Sequence, residues 1–151
     1  MTAPTTGQAA RAGRTLVAGL LLGLGTVAFI DETVFHQLLH WHHFYDRSTS
    51  DVGLVSDGLF HAFGWFATVA ALFLLVDLVR GGAWARRRWL AGLLLGAGAF
   101  QLYDVTIQHK LLRLHQIGYG VGIAPYDWTW NLLAVAMLVV GGWLLRAARH
   151  A

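Results

Sequence analysis

Four apolar runs, at about 15–39, 58–79, 90–112 and 128–145, constrain this chain more than any other feature. Each is close to the ~20 residues that cross a hydrocarbon core about 30 Å thick. Lipid offers no partner to a backbone N–H or C=O, so a spanning segment must satisfy both internally, as a helix does. The predicted fold class is all-α: an integral membrane four-helix bundle over 15–151, behind a short tail at 1–14. Charged residues make up 13% of the chain, about half the fraction of a soluble domain, so there is little polar surface to offer to water.

The basic residues sit at the ends of the apolar runs. Arg11, Arg14, Arg80, Arg86, Arg87, Arg88, Arg146 and Arg149 fall on one side, against Arg47, Lys110 and Arg113 on the other. The positive-inside rule then puts both termini in the cytoplasm of a multi-pass bacterial inner-membrane protein, with the 41–56 and 115–126 loops outward. Trp41, Tyr45, Tyr126, Trp128 and Trp130 can form an outer aromatic belt, and Trp84, Trp89 and Trp143 an inner one. No basic stripe interleaves with aromatics, so the high pI does not indicate nucleic acid. The bilayer is the expected partner, with a homo-oligomer open.

A shift of 73 residues lays 18–42 on 91–115 with 13 identities in 25 positions. The string AGLLLGLG meets AGLLLGAG, Asp31 meets Asp104, Thr33 meets Thr106, His36 meets His109 and His42 meets His115. Leucine matches are cheap in membrane helices, whereas polar ones are expensive in lipid. This predicts a tandem, parallel repeat of a two-helix unit, at about 15–80 and 88–146. Gly19 and Gly23, like Gly92 and Gly96, have the four-residue spacing that lets helix backbones approach closely, so helices 1 and 3 are expected to meet.

The polar residues of the apolar runs gather within roughly 10 Å of depth near the outer face, given a rise of ~1.5 Å per residue. His36, His61 and His109 are the expected metal ligands, with Asp31, Asp104 and Glu32 as further ligands or as acceptors for imidazole N–H. The repeated pair His42 and His115 completes the candidate set, although His40, His42 and His43 are expected at or beyond the membrane surface. An ideal α-helix turns Asp31 about 140° away from His36, so one helix cannot deliver all these groups to one ion without a kink. Asp57 is expected to cap helix 2, Asp77 to pair with Arg80, and Lys110 and Arg113 to snorkel.

With no cysteine, thiolate sites are excluded, and with only Met1 and Met137 a thioether-rich copper(I) site is not expected. Imidazole and carboxylate suit zinc, copper(II) or iron. Three readings of the polar layer stand: a divalent transition-metal site, a structural or proton-relay network without metal, and a bis-histidine haem through His36 and His109. No nucleophile–base–orienter set and no phosphate loop is present, which leaves enzymatic status open.

The strings DETVFHQLLHWHH, DGLFHAF and QLYDVTIQHKLLRLHQIG resemble a family of predicted bacterial membrane proteins, domain of unknown function 2243, over residues 16–145. The family pattern usually has glycine where this chain has Glu32 and often a second histidine where Lys110 stands. The resemblance implies a membrane location. It also implies copper handling beside proteins that assemble copper-containing respiratory oxidases.

Overall fold

A computed structural model describes residues 5–120 and 122–148. Arg149, counted above among the basic residues, lies outside them, as do residues 1–4. The described chain contains four long helices, all apolar enough to cross a membrane, and no strand. Helix α1 is Thr6–Asp31 and continues as a π-helical segment, Glu32–Leu38. Helix α2 is Ser50–Arg80, α3 is Arg86–Tyr103 with a π-helical continuation Asp104–Leu112, and α4 is Ala124–Ala147.

All four helices start earlier than the apolar runs do, and for three of them groups that suit a helix start, rather than hydropathy, account for the position. A capping box closes the start of α1: Thr5 Oγ1 accepts from the Gln8 N–H, and the Gln8 side chain accepts from the Thr5 N–H at 3.1 Å. Thr49 caps α2 by accepting from the Val52 N–H. Asp57 therefore lies two turns inside α2 and does not cap it. Pro125 suits the first turn of α4, where its missing N–H costs nothing.

Small residues decide the packing. The buried residues of α1 include Ala18, Gly19, Gly23, Gly25 and Ala28, and those of α3 include Ala91, Gly92, Gly96, Ala97 and Gly98. The two helices meet backbone to backbone along both glycine pairs. A Cβ built on Gly23 would lie 2.0 Å from the Leu93 carbonyl oxygen, and one on Gly96 would lie 2.1 Å from that of Leu20. Only glycine permits this approach. Helix α2 flanks α1 and α4 flanks α3, while among the described residues α2 and α4 do not touch. Leu59, Phe66 and Phe73 on α2, and Trp128, Val139 and Trp143 on α4, stay exposed, as expected of a surface solvated by lipid.

Ion pairs tie the two ends. Arg14 of α1 bonds Asp77 of α2, which replaces the Asp77–Arg80 pair expected from spacing alone. Lys110 does not simply snorkel; it bonds Asp127 in the first turn of α4. A carboxylate there also sits at the favourable end of the helix dipole.

Candidate functional site

The site begins with the two π-helical segments. They contain β-branched Thr33 and Val34, and Val105, Thr106 and Ile107, which crowd an α-turn. A π-turn closes i→i+5 hydrogen bonds and is wider than an α-turn. Residues five apart then return to one face. Asp31 Oδ2 lies 3.9 Å from His36 Nε2, and Asp104 Oδ2 lies 3.1 Å from His109 Nε2. Gln37 donates to Glu32 Oε1 at 2.7 Å with the same spacing. The 140° separation of Asp31 from His36 on an ideal α-helix is corrected by this widening.

A left-handed residue follows each π-segment: His40, two residues after Leu38, and Arg113, directly after Leu112, both at φ 51°. The Trp41 N–H then reaches back to the Phe35 carbonyl at 2.9 Å, and the Leu114 N–H to that of Gln108 at 3.0 Å. These are wide relatives of the αL caps that end ordinary helices. The turn folds the next residues over the helix ends, so His42 and His115 are buried within the protein. His40 remains exposed.

Four imidazoles now cluster. Ring centroids are 4.6 Å apart from His36 to His42, from His42 to His115, and from His115 to His109, with His36 also 6.0 Å from His115 and His42 6.2 Å from His109. The middle pair is stacked, 5° from parallel. Phe60 lies beside His36, stacked on Phe44 and Phe100, and forms an aromatic floor.

Tautomers follow from the hydrogen bonds. His36 Nδ1 donates to Glu32 Oε2 at 2.6 Å, and His115 Nδ1 donates to the Phe44 carbonyl at 2.8 Å. Each ring then keeps its proton on Nδ1 and a lone pair on Nε2. His36 Nε2, His115 Nε2, His42 Nδ1, both nitrogens of His109 and Asp104 Oδ1 are buried without a hydrogen-bond partner. Buried polar atoms are rarely left so, and each such group calls for a partner. Burial first, then the neighbouring His115, His36 and His109 rings, pull the His42 pKa down to about 2, against the opposing pull of Asp104. His42 is neutral at ordinary pH and keeps its lone pair.

Three groups gather atoms that lie within 4.8 Å of one another: His36, His42 and His115; Asp104, His109 and His115; and Glu32, His36 and Asp57. Among the described residues, no Lys or Arg pairs with Asp31, Glu32, Asp57 or Asp104. An imidazole and carboxylate donor set of this kind suits a cation such as zinc, copper(II) or iron(II). Tetrahedral zinc at ~2.0 Å from nitrogen places its ligands about 3.3 Å apart, within small side-chain rotations of these positions.

His61 stands apart from the cluster. It is half-buried on α2 against Phe29, at 4.9 Å between ring centroids. Asp57 takes the place on α2 that sequence depth suggested for His61. It is 1% exposed and accepts from His43 Nδ1 at 2.6 Å and from the Phe44 N–H at 2.7 Å. Through Phe44 it holds the carbonyl that orients His115. The Ser48–Asp51 string, rich in N-cap residues, is the signal that would have started α2 early and placed Asp57 inside it.

No curated protein and no solved structure matches the chain. The family described as predicted membrane protein (DUF2243) matches residues 18–148. With four candidate spans and a match over most of its length, the chain belongs to that family of membrane proteins.

Proposed function

We propose that this membrane protein binds a divalent transition-metal ion, copper, zinc or iron, among His36, His42, His109 and His115, and handles that ion at the outer face of the membrane. One observation carries the reading: buried ring nitrogens of four histidines converge with no hydrogen-bond partner, while the opposite nitrogens of His36 and His115 are fixed by Glu32 and Phe44. A ligand imidazole held by a carboxylate or carbonyl on its other nitrogen is a recurrent feature of metal sites. Asp31 and Asp104 supply nearby oxygen donors.

The outward assignment rests on charge. The helix ends remote from the histidines bear most of the arginines, including Arg86, Arg87 and Arg88, and such ends face the cytoplasm. Family resemblance makes copper the first ion to test and the assembly of respiratory oxidases the first pathway.

The test is elemental mass spectrometry and an absorption spectrum on protein purified in detergent without a histidine tag. A stoichiometric transition metal that is lost in the His36→Ala/His109→Ala double variant supports the reading. A metal-free protein that stays so after incubation with copper, zinc and iron overturns it, in favour of a polar core that fixes packing or moves protons. A Soret band overturns it in favour of haem.

A further inference from the structure

The candidate ligand groups overlap, and the overlap has a chemical consequence. His115 belongs both to the group with His36 and His42 and to the group with Asp104 and His109. Its Nδ1 is committed as a donor to the Phe44 carbonyl at 2.8 Å. A neutral imidazole with a protonated Nδ1 has a single lone pair, on Nε2. One lone pair coordinates one ion. The two groups are therefore alternatives rather than a dinuclear site.

Resting on the metal reading above, we infer that the protein holds one ion that passes between two positions sharing His115 Nε2. The first position is formed by His36, His42 and His115, three nitrogens, with Asp31 Oδ2 3.9 Å from His36 Nε2. The second position is formed by Asp104, His109 and His115, two nitrogens and a carboxylate. Asp104 Oδ1 lies 3.6 Å from His115 Nε2, so the second position needs little movement of either group.

The cluster of rings makes the exchange short. Besides the 4.6 Å contacts from His36 to His42, His42 to His115 and His115 to His109, His36 lies 6.0 Å from His115 and His42 lies 6.2 Å from His109. An ion can exchange one ligand at a time without leaving His115. No bond to carbon is made or broken, and no electron moves; the step is ligand exchange at a fixed charge.

Both positions border one cavity. A cavity of about 210 Å³ is lined by Asp104 and His109 of one position and by Asp31 and His42 of the other, together with apolar Val27, Phe100, Ile117 and Trp130. An ion in this cavity can reach either position, while the shared His115 and His36 lie behind its lining.

Copper(II) titration followed by electron paramagnetic resonance tests this on the whole protein in detergent. Wild type should take up one copper per chain and give two superimposed spectra, one with three nitrogen ligands and one with two. His109→Ala should keep only the three-nitrogen spectrum, and His36→Ala only the two-nitrogen spectrum. His115→Asn, whose amide can still donate to the Phe44 carbonyl, should weaken binding at both positions by at least ~10-fold, as expected when a ligand is removed. Size-exclusion elution of each variant at the wild-type volume establishes folding. Two coppers per chain, one common spectrum in His36→Ala and His109→Ala, or wild-type affinity in His115→Asn would each overturn the two-position inference while leaving the metal reading intact. A wild type that takes up no copper, zinc or iron overturns the metal reading itself.

Discussion

Gly23→Ala is the most informative single change, because its cost is set by backbone geometry alone. The added methyl would sit 2.0 Å from the Leu93 carbonyl oxygen and 2.9 Å from the Ala97 nitrogen. Both are main-chain atoms, so no side chain can turn aside. Restoring an ordinary contact of 3.4 Å requires α1 and α3 to part by about 1.4 Å. A gap of that size forfeits more than half of the dispersion attraction along the affected contact. Overpacking of this kind costs about 3 kcal/mol, which for a chain this long lowers Tm by roughly 10 °C. Gly142→Ala is the control: nothing lies within 4 Å of its added methyl, and alanine is the better helix former by up to ~1 kcal/mol. The damage also travels. His36 is thirteen residues, about 20 Å, farther along α1, and His109 is on the π-continuation of α3. Ligand distances are tolerated only within about 0.2 Å, so Gly23→Ala should also weaken copper or zinc binding. Thermal unfolding in detergent, followed by circular dichroism, and metal titration measure the two effects. Equal Tm values for Gly23→Ala and Gly142→Ala would refute the claim that α1 and α3 touch backbone to backbone.

Glu32→Gln should weaken metal binding about 10–100-fold through loss of the carboxylate on His36 Nδ1, with little change in fold; unchanged affinity in a competition titration counts against the role given to Glu32. Asp57→Ala leaves the Phe44 N–H and His43 Nδ1 without their acceptor and should cost about 1–3 kcal/mol, seen as faster hydrogen exchange around Phe44; wild-type exchange there argues against the anchor. Asp77→Asn breaks a half-exposed pair with Arg14 and should change stability by less than ~1 kcal/mol, so a large Tm loss would contradict that assignment. His42 in the metal-free fold has its pKa lowered from 6.5 to about 2. The unfolded chain therefore binds the extra proton between those values, and stability is full above pH 6.5 and falls as the pH drops below it. His42→Gln should flatten part of the Tm decline between pH 6.5 and 4, and an unchanged slope would show that other groups account for it.

The four helices were legible because apolar length alone demands them in lipid. The contact of α1 with α3 was legible in the glycine spacing. The paired Asp and His were visible too, but their geometry was not. Five-residue spacing puts Asp31 and His36 apart on an α-helix and together on a π-helix, and no residue type announces a π-turn by itself. The doubling of that spacing at Asp104 and His109 was the available clue. The burial of His42 and His115 was hidden for a related reason: the left-handed turns fall on His40 and Arg113, where glycine would normally mark such a conformation. His61 has the right depth, yet facing decides contact, and its ring turns toward Phe29 while Asp57, one turn earlier, turns toward the cluster.

The row order of the helices, α2–α1–α3–α4, bears on how the protein matures. Each hairpin can enter the bilayer as a unit, α1 with α2 and α3 with α4, before the two dock through the glycine seam. His36 and His42 come from the first hairpin, His109 and His115 from the second. Neither hairpin alone can assemble all four imidazoles. On the metal reading proposed above, the Asp104, His109 and His115 position belongs to the second hairpin alone, whereas the His36, His42 and His115 position exists only once the two have joined. An ion held at the latter would favour docking, because a ligand that binds only the joined state shifts the equilibrium toward it by RT ln(1 + [L]/Kd).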